Sequence, residues 1–233
     1  MAMPKSEINA RYIEETQRTV MTRSLGHDST SYLFFKRALD LFGAVVGLVL
    51  SSPLFLIISL LYLRGSQKGP VFFKQKRIGQ NGVPFHIYKF RSMVVNAEDT
   101  LKANRVLYQK YLENSYKLEP DEDPRITKMG RLLRKTSLDE LPQFINVLKG
   151  EMSLVGPRPV VSEELKEYGD QKELFLSAKP GLTGYWAACG RSDIEYPERC
   201  NVELFYVRNK SMALDVKIVL KTIVSVIMKK GAY

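Results

Sequence analysis

An uncharged apolar stretch, residues 41–63, limits the folds open to this chain more than any other feature of its sequence. As an α-helix it would be about 35 Å long, enough to cross the roughly 30 Å hydrocarbon core of a bilayer. A buried helix of a soluble protein would carry a polar stripe at this length, and this stretch has none. The sequence therefore predicts a helix in contact with lipid.

A break is predicted in the middle of this stretch, at Ser52 and Pro53. Pro53 has no N–H to donate to the carbonyl group of Val49, and its ring crowds that turn, which costs about 3 kcal/mol or more in an unkinked helix. The hydroxyl groups of Ser51 and Ser52 can bind the carbonyl groups that the break exposes. The pattern therefore predicts a helix, a break and a second helix.

Positive charge at both ends of the stretch indicates how it lies in the membrane. Lys36 and Arg37 precede it, and Arg64 and Lys68 follow it. Because such residues are normally kept on the cytoplasmic side, the pattern favours a re-entrant helix over residues 36–64 that enters and leaves by one face. A kinked helix that spans the bilayer is the alternative, since proline is frequent in membrane helices.

A β-hairpin is predicted directly after the apolar stretch. Residues 71–95 alternate apolar and basic side chains around the turn sequence Gly-Gln-Asn-Gly. This pattern is typical of a hairpin, with strands at 71–77 and 85–90. The lysines of the hairpin and Arg91 face either a phosphate group or solvent.

Helical patterns make up most of the remaining chain. They cover residues 97–118, two stretches within 127–150 that are split near Thr136 and Ser137, and residues 213–230. The last has an apolar face and several lysines, as in a helix at the membrane interface or a docked core helix. The predicted fold class is α+β and mostly helical: a re-entrant membrane helix-break-helix, a small β-hairpin and interfacial amphipathic helices around a cytosolic active site.

The net charge of the chain narrows the range of partners. Lysine and arginine total 35 against 25 acidic residues, a formal charge of +10 that suits nucleic acid, anionic lipid or a phosphorylated substrate. Nucleic acid is disfavoured, because the basic residues are spread over the hairpin and helices of a chain with a lipid-length apolar stretch. Cys189 and Cys200 have no metal-ligand spacing and are predicted to be reduced, buried residues of a cytosolic domain.

Two adjacent carboxylates, Asp139 and Glu140, stand at the start of a helix that Pro142 opens and Gly150 ends. In a purely structural role Asp139 would cap the N-terminus of that helix, and the negative charge of Glu140 would interact favourably with the helix dipole. With arginines such as Arg134 nearby, the ionised form of a carboxylate is stabilised, and it can attack phosphorus. Adjacent helical side chains point about 100° apart, so the two can have different tasks. The sequence therefore predicts Asp139 and Glu140 as catalytic residues.

Phosphate chemistry also accounts for the arginine that follows. Arg158 lies between Pro157 and Pro159, which hold its main chain and allow its side chain to bind two phosphate oxygens. A phosphate ester repels a carboxylate, and Mg²⁺ bound between the two removes that obstacle. These residues predict phosphoryl transfer at a membrane surface, with Asp139 and Glu140 as the candidate Mg²⁺ ligands. One of the two carboxylates can attack, while the other holds the ion or moves a proton.

At these residues the chain resembles a known family, the bacterial sugar transferases, which are monotopic polyprenyl-phosphate phosphoglycosyl transferases. The resemblance runs from about residue 33 to 233. It rests on the ordered segments KRALDLFGA, FKQKRIGQNG, IYKFRSM, GRLLRKTSLDELPQFINVLKGEMSLVGPRP, KPGLTGYW, GRSD and YVRNKSMALDVKIVLKTI. An isolated Asp-Glu pair would carry no such information, whereas the ordered set is specific.

The resemblance implies the transfer of a sugar 1-phosphate from a UDP-sugar to undecaprenyl phosphate, with release of UMP. It implies a covalent phosphosugar intermediate and Mg²⁺, and a first membrane step in exopolysaccharide, capsule or other glycan synthesis. The catalytic part would face the cytoplasm at the inner membrane, in contact with membrane lipid. The domain would comprise residues 33–233, preceded by an extension, 1–32, of unassigned role. No nucleic-acid partner is implied, and a homo-oligomer stays open.

By position in these motifs, the resemblance assigns individual roles. Asp139 would be the nucleophile and Glu140 its partner. Arg134 and Arg158 would bind phosphate, and Arg191, in the glycine-rich segment, would contact the nucleotide or the lipid phosphate. Ser52 and Pro53 would form the break of the membrane helix.

Two positions depart from the family pattern. Lys179 stands where relatives usually have arginine, which keeps the charge. Ala187 stands where relatives often have glutamine, so an amide group that could recognise the sugar is missing. The identity of the sugar therefore stays open, and a membrane scaffold of a polysaccharide assembly that has lost catalysis is the alternative function.

Overall fold

The structure is a computed structural model that describes residues 28–63, 68–114, 118–119, 121–189 and 194–227. Its elements agree with a mostly helical α+β fold. The strands are β1 (Phe72–Ile78), β2 (Pro84–Phe90), β3 (Ser153–Val155) and β4 (Gly181–Thr183). The α-helices are α1 (Thr30–Tyr62), α2 (Ala97–Ala103), α3 (Arg105–Glu113), α4 (Lys128–Lys135), α5 (Gln143–Lys149), α6 (Lys172–Leu176), α7 (Tyr185–Cys189), α8 (Glu198–Asn209) and α9 (Met212–Ile227). Short 3₁₀ segments occupy Gln80–Gly82, Leu138–Glu140 and Ser162–Gln171.

The apolar stretch forms one long helix, α1, of 33 residues. It begins at Thr30, ahead of the predicted start, where the side chain of Ser29 accepts the N–H of Tyr32. Pro53 lies inside this helix. The two separate helices expected from the sequence are therefore a single helical element in the structure.

The serine hydroxyl groups next to Pro53 bind main-chain carbonyl groups, as predicted. Ser52 Oγ lies 2.8 Å from the carbonyl oxygen of Val49, the group that Pro53 cannot reach with an N–H. Ser51 Oγ lies 2.6 Å from the carbonyl oxygen of Gly47. The hydrogen bond from Ser52 replaces the one lost at Pro53, which explains how the helix continues through it.

One face of α1 is covered by the rest of the protein along its length. Its buried residues, Asp40, Ala44, Ser51, Ile58 and Tyr62, recur at helical spacing. The remaining faces expose large apolar side chains. Among the described residues, α1 is the one helix long and apolar enough to cross a membrane. One face of α1 therefore belongs to the protein core, and its other faces present the apolar surface expected of a lipid-facing helix.

The β-hairpin packs along the covered face of α1. Its antiparallel register runs from Phe72 opposite Phe90 to Ile78 opposite Pro84, which confirms the predicted hairpin. Toward the turn, Phe85 and Ile87 share a core cluster with Ala44 of α1. Near its other end, Phe90 packs with Ile58 and Tyr62 of the same helix. The hairpin thus follows α1 and brings the end of β2 close to the C-terminal part of that helix.

A second, two-stranded sheet holds the segment that contains Arg158. In this sheet β3 and β4 are parallel, with Ser153 opposite Gly181. The N–H of Gly181 donates to the carbonyl oxygen of Pro157, at 2.8 Å. A Cβ atom at Gly156 would lie 2.2 Å from the carbonyl oxygen of Lys179, so only glycine allows this close approach. The sheet and this hydrogen bond therefore fix the main chain directly before Arg158.

The last helix, α9, is joined to α1 by a buried polar network. Asp215 is fully buried and accepts hydrogen bonds from Tyr32 Oη, Lys36 Nζ and Tyr206 Oη, at 3.0, 2.9 and 2.6 Å. Beyond this contact, α9 exposes a row of apolar side chains: Val216, Leu220, Ile223 and Val224. The pairing of Asp215 fixes α9 beside the N-terminal part of the lipid-facing helix.

Candidate active site

The adjacent carboxylates lie in a short 3₁₀ turn, Leu138–Glu140, between α4 and α5. Ser137 precedes the turn in a left-handed conformation, with φ of 56°. The helix that follows begins only at Gln143, with Pro142 in its N-cap position. The expectation that Asp139 caps this helix was therefore wrong, whereas the predicted split near Ser137 and the stop at Gly150 are confirmed.

Apolar neighbours place this turn beside the end of α1. Leu138 and Leu141, on either side of the carboxylates, pack against the cluster that contains Ile58 and Tyr62 of α1 and Leu133 of α4. The chain thus brings its two adjacent acids to the C-terminal part of the lipid-facing helix.

Asp139 is buried, and its pKa is raised to about 6. Loss of solvent is the main cause; the charges of Lys89 and Arg134 act in the opposite direction, and that of Glu140 raises the pKa further. The sequence-based expectation that the surroundings stabilise the ionised form was incomplete, because burial outweighs the cations. The carboxylate is still the main species above about pH 6, which includes neutral pH.

Glu140 has a different environment from its neighbour. Lys89 Nζ, at the end of β2, lies 2.8 Å from Glu140 Oε1. The two side chains are 25% and 36% exposed, so this ion pair lies at the border of solvent. One carboxylate is thus buried and the other is open and paired, which suits two different tasks.

Arg134 lies in the last turn of α4, where the sequence placed it. Its Nε donates to Ser92 Oγ at 2.9 Å, which ties the guanidinium group to the segment after β2. Its charge is close enough to lower the pKa of Asp139. The structure therefore brings Arg134 and Asp139 together, in agreement with their grouping in the sequence analysis.

Arg158 is connected to the same region through Arg77 of β1. Burial and the nearby charge of Arg158 lower the pKa of Arg77 to about 10, while Glu164 and Glu140 raise it. Arg77 Nη1 lies 3.3 Å from the carbonyl oxygen of Pro159. Arg77 thus lies within electrostatic range of both Arg158 and Glu140. The fifth predicted site residue, Arg191, lies outside the described residues.

Comparison with known proteins identifies the family of this chain. The family described as bacterial sugar transferase matches residues 31–229, which is most of the chain and includes every site residue named above. The chain belongs to the bacterial sugar transferase family.

Three curated relatives illustrate the range of this family. The undecaprenyl-phosphate galactose phosphotransferase of Salmonella typhimurium is 45% identical over 203 residues, 86% of this chain and 42% of that protein. The exopolysaccharide production protein ExoY of Sinorhizobium fredii is 43% identical over 85% of this chain and 88% of its own length. The galactosyl transferase CpsE of Streptococcus agalactiae is 42% identical over 92% of this chain and 47% of its own length. This bacterial sugar transferase therefore spans less than half of two of these relatives and most of the third.

The donor set of this bacterial sugar transferase is compatible with Mg²⁺. Within the described residues, no group of three or more histidine, cysteine, aspartate and glutamate side chains is arranged to hold a metal ion. Asp139 and Glu140 supply two carboxylates, and Mg²⁺ is commonly bound by one or two carboxylates together with substrate phosphates and water. The two residues therefore fit an ion that is completed by a phosphorylated substrate.

Sequence reasoning missed two basic residues of this bacterial sugar transferase. Lys89 and Arg77 lie in the hairpin, whose lysines were expected to face either phosphate or solvent, and neither was singled out. Lys89 pairs with Glu140, 51 residues further along the chain. Arg91, which was singled out, is buried instead, with Nε 2.7 Å from the carbonyl oxygen of Pro70 and its guanidinium group over the ring of Tyr62.

Proposed function

We propose that this chain is a phosphoglycosyl transferase that moves a sugar 1-phosphate from a UDP-sugar to undecaprenyl phosphate and releases UMP. The observation that carries the proposal is a buried Asp139 next to Glu140, among basic side chains and beside the end of the lipid-facing α1. The name of the Salmonella relative, an undecaprenyl-phosphate galactose phosphotransferase, supports it. The product would be the first lipid-linked intermediate of an exopolysaccharide, a capsule or another glycan.

In the first proposed step, an ionised oxygen of Asp139 attacks the phosphorus of the UDP-sugar that carries the sugar. The bond between this phosphorus and the oxygen that bridges the two phosphates breaks. UMP leaves with that oxygen and the bonding electrons, and the sugar phosphate is now joined to Asp139. Because the pKa of Asp139 is about 6, its attacking form predominates at neutral pH.

In the second proposed step, a phosphate oxygen of undecaprenyl phosphate attacks the same phosphorus. The bond between that phosphorus and the Asp139 oxygen breaks, which restores the carboxylate and forms a diphosphate-linked sugar. The position of the turn beside Ile58 and Tyr62 supports this step, since the phosphate of a lipid carrier lies at the membrane surface.

Basic side chains around the carboxylates would hold the phosphate oxygens. Arg134 lies near Asp139, and Arg77 lies within electrostatic range of both Glu140 and Arg158. Arginine binds phosphate with two parallel hydrogen bonds, and its charge stabilises a phosphoryl group in transfer. We assign Arg134 and Arg158 to phosphate binding, with Arg77 as an additional contributor.

Mg²⁺ is the proposed cofactor. Asp139 and Glu140 would hold it, and when bound it would reduce the repulsion between carboxylates and phosphates. Lys89 keeps the Glu140 carboxylate in place through the 2.8 Å ion pair. Glu140 thus has the positioned, open carboxylate expected of a metal ligand, while the attacking oxygen belongs to the buried Asp139.

We further propose that α1 is re-entrant and that both its ends lie at the cytoplasmic face of the inner membrane. Near its start, Lys36 Nζ donates to the carbonyl oxygen of Val155 at 3.0 Å. Near its end, the hydroxyl group of Tyr62 donates to the carbonyl oxygen of Arg91. Both ends of α1 therefore contact the part of the protein that follows this helix in the chain. This supports a helix that does not carry one of its ends to the far side of the bilayer.

A panel of UDP-sugars tests the proposed function. The purified membrane protein is expected to release UMP when a matching UDP-sugar and undecaprenyl phosphate are both present. The panel should contain UDP-galactose and UDP-glucose as well as N-acetylated sugars, because Ala187 leaves the sugar preference open. A folded protein that releases no UMP from any member would contradict the proposal and would favour the scaffold without catalysis.

Removing the proline from α1 should change the topology of the chain. Replacing Ser52 and Pro53 with leucine restores the N–H that proline lacks and removes the hydroxyl group that binds the Val49 carbonyl. The helix is long enough to span, and without Pro53 its central turn regains a main-chain hydrogen bond, so the N-terminus should reach the far side in part of the molecules. A cysteine introduced at position 5 reports this through a membrane-impermeant maleimide on intact cells.

The unsubstituted helix with the same cysteine should stay unlabelled, and the leucine variant should label. A chain without the added cysteine controls for Cys189 and Cys200, and permeabilised cells show that the introduced thiol is reactive in both variants. Labelling of the unsubstituted helix from outside would mean that α1 spans the bilayer, and the re-entrant proposal would then be wrong.

A further inference from the structure

A fully buried carboxyl group, that of Glu203 in α8, contacts the segment that contains Arg158. The main-chain N–H of Arg158 donates to both of its oxygens, at 3.2 Å to Oε1 and 3.1 Å to Oε2. Glutamate is almost never fully buried unless it has a partner, because its carboxyl group loses hydration on burial. The contact with Arg158 is therefore a specific feature of this fold.

The two prolines beside Arg158 leave its N–H as the one main-chain donor of this short segment. Pro157 and Pro159 have no main-chain N–H. Within the Pro-Arg-Pro segment, the N–H of Arg158 is thus the one main-chain donor. Glu203 binds that donor, while β4 binds the Pro157 carbonyl group through the N–H of Gly181. The main chain of Arg158 is fixed by two elements that lie far apart in the sequence.

The side chain of Arg158 is oriented by the same part of the fold. Its guanidinium carbon lies 5.7 Å from the centroid of the Trp186 ring. Arg199, one helical turn before Glu203 in α8, also contacts this ring, at 5.8 Å. A guanidinium group held against an aromatic ring has a restricted orientation. Glu203 of α8 therefore holds the main chain of Arg158, and Trp186 of α7 restricts the orientation of its side chain.

The charge state of Glu203 supports a holding role. Burial raises its pKa to about 8, although the N–H of Arg158 and the charges of Arg199 and Arg158 act in the opposite direction. Burial therefore favours the protonated form of this carboxyl group. A neutral carboxyl group accepts the N–H without attracting the Arg158 guanidinium group away from a phosphate as a carboxylate would.

We propose that Glu203 is a positioning residue for Arg158: its buried carboxyl group fixes the Arg158 main chain so that the guanidinium group meets the substrate phosphate. This inference rests on the proposed function, in which Arg158 binds phosphate. Glu203 binds the main chain of that arginine and is not proposed to contact the substrate. Its effect on the reaction therefore depends on Arg158.

Two substitutions at Glu203 distinguish the hydrogen bond from the charge. Glu203→Gln keeps an oxygen that accepts the Arg158 N–H, so kcat/KM for UMP release should stay within about 3-fold of the unsubstituted enzyme. Glu203→Met keeps the length and loses the acceptor, and should lower kcat/KM by about 10-fold to 100-fold. Glu198→Met, at an exposed position of α8, is the matched control and should stay within about 2-fold.

A double-mutant cycle with Arg158→Ala decides whether Glu203 acts through Arg158. Without the arginine side chain there is nothing left to orient, so Glu203→Met should then lower UMP release by less than about 2-fold further. An equal loss in both backgrounds would mean a purely structural role and would overturn the inference. Full activity of Glu203→Met would also overturn it.

Melting temperatures identify variants that fail to fold. Glu203→Ala removes the same acceptor with a different packing defect and repeats the cycle if Glu203→Met is unstable. An unsubstituted enzyme that releases no UMP contradicts the proposed function itself. An active enzyme with an additive cycle contradicts the role of Glu203 alone, so the two failures are distinguishable.

Discussion

Asp139→Asn is expected to abolish both turnover and the covalent intermediate while leaving the protein folded. Asparagine matches the shape of aspartate but has no ionised oxygen to attack phosphorus, and loss of a nucleophile lowers turnover by about 10³-fold or more. Because burial raises the pKa of Asp139, a neutral side chain of the same shape fits this position without loss of stability. The melting temperature should therefore not fall.

Intact-mass measurement after incubation with a UDP-sugar alone gives the direct readout. The unsubstituted protein should gain the mass of one sugar phosphate, and Asp139→Asn should gain none. Asp121→Asn is the matched control, since Asp121 is exposed and pairs with Arg131 at 3.3 Å. It should form the adduct at the normal rate. A sugar-phosphate adduct on Asp139→Asn would show that another residue is the nucleophile.

Removal of divalent metal is expected to have the next largest effect. Excess chelator should lower UMP release by about 10²-fold or more, and added Mg²⁺ or Mn²⁺ should restore it. The reason is electrostatic: Asp139 and Glu140 must approach a diphosphate, and Lys89 already pairs with one of them.

The chelator experiment needs a control for damage to the membrane protein. Passing the treated sample into chelator-free buffer with Mg²⁺ should return the full rate, and Ca²⁺ tests whether a larger ion can substitute. Full activity in excess chelator, with the metal content of the sample confirmed as negligible, would show that no metal takes part in the reaction.

Local signals in the sequence predicted much of this fold. The Gly-Gln-Asn-Gly turn fixed the hairpin, because Asn81 and Gly82 adopt the positive φ values that such a turn requires. Gly150 ends α5 in a left-handed conformation, as predicted. The serine hydroxyl groups bind the carbonyl groups near Pro53. Each of these features depends on residues within a few positions of one another.

Features that depend on distant contacts were not predictable in the same way. The parallel pairing of β3 with β4 joins two strands of three residues each, too short for a pattern of their own. Lys89 reaches Glu140 across 51 residues. The raised pKa of Asp139 follows mainly from its burial, which the charges nearby in sequence do not reveal. Burial depends on the whole fold, so a prediction from neighbouring residues alone misjudged the pKa of Asp139.

The candidate site also combines features that neighbouring residues predict with features that depend on distant contacts. Asp139, Glu140 and Arg134 are close in the sequence and lie together in the structure. The roles assigned to them, to Arg158 and to Mg²⁺ remain predictions that the experiments above address. Glu203 could not be found from the sequence, since nothing around it indicates that an acid of α8 would be fully buried against Arg158.

The long apolar helix α1 is not a separable module. Ala44 shares a cluster with Phe85, Ile87 and Val147, and the C-terminal part of α1 completes another around Phe90. Deleting α1 to obtain a soluble fragment would expose both clusters to water, so such a truncation is a poor starting point for expression. Amphiphiles that preserve α1 are the better choice, because the apolar helix expected to contact lipid also completes the two core clusters.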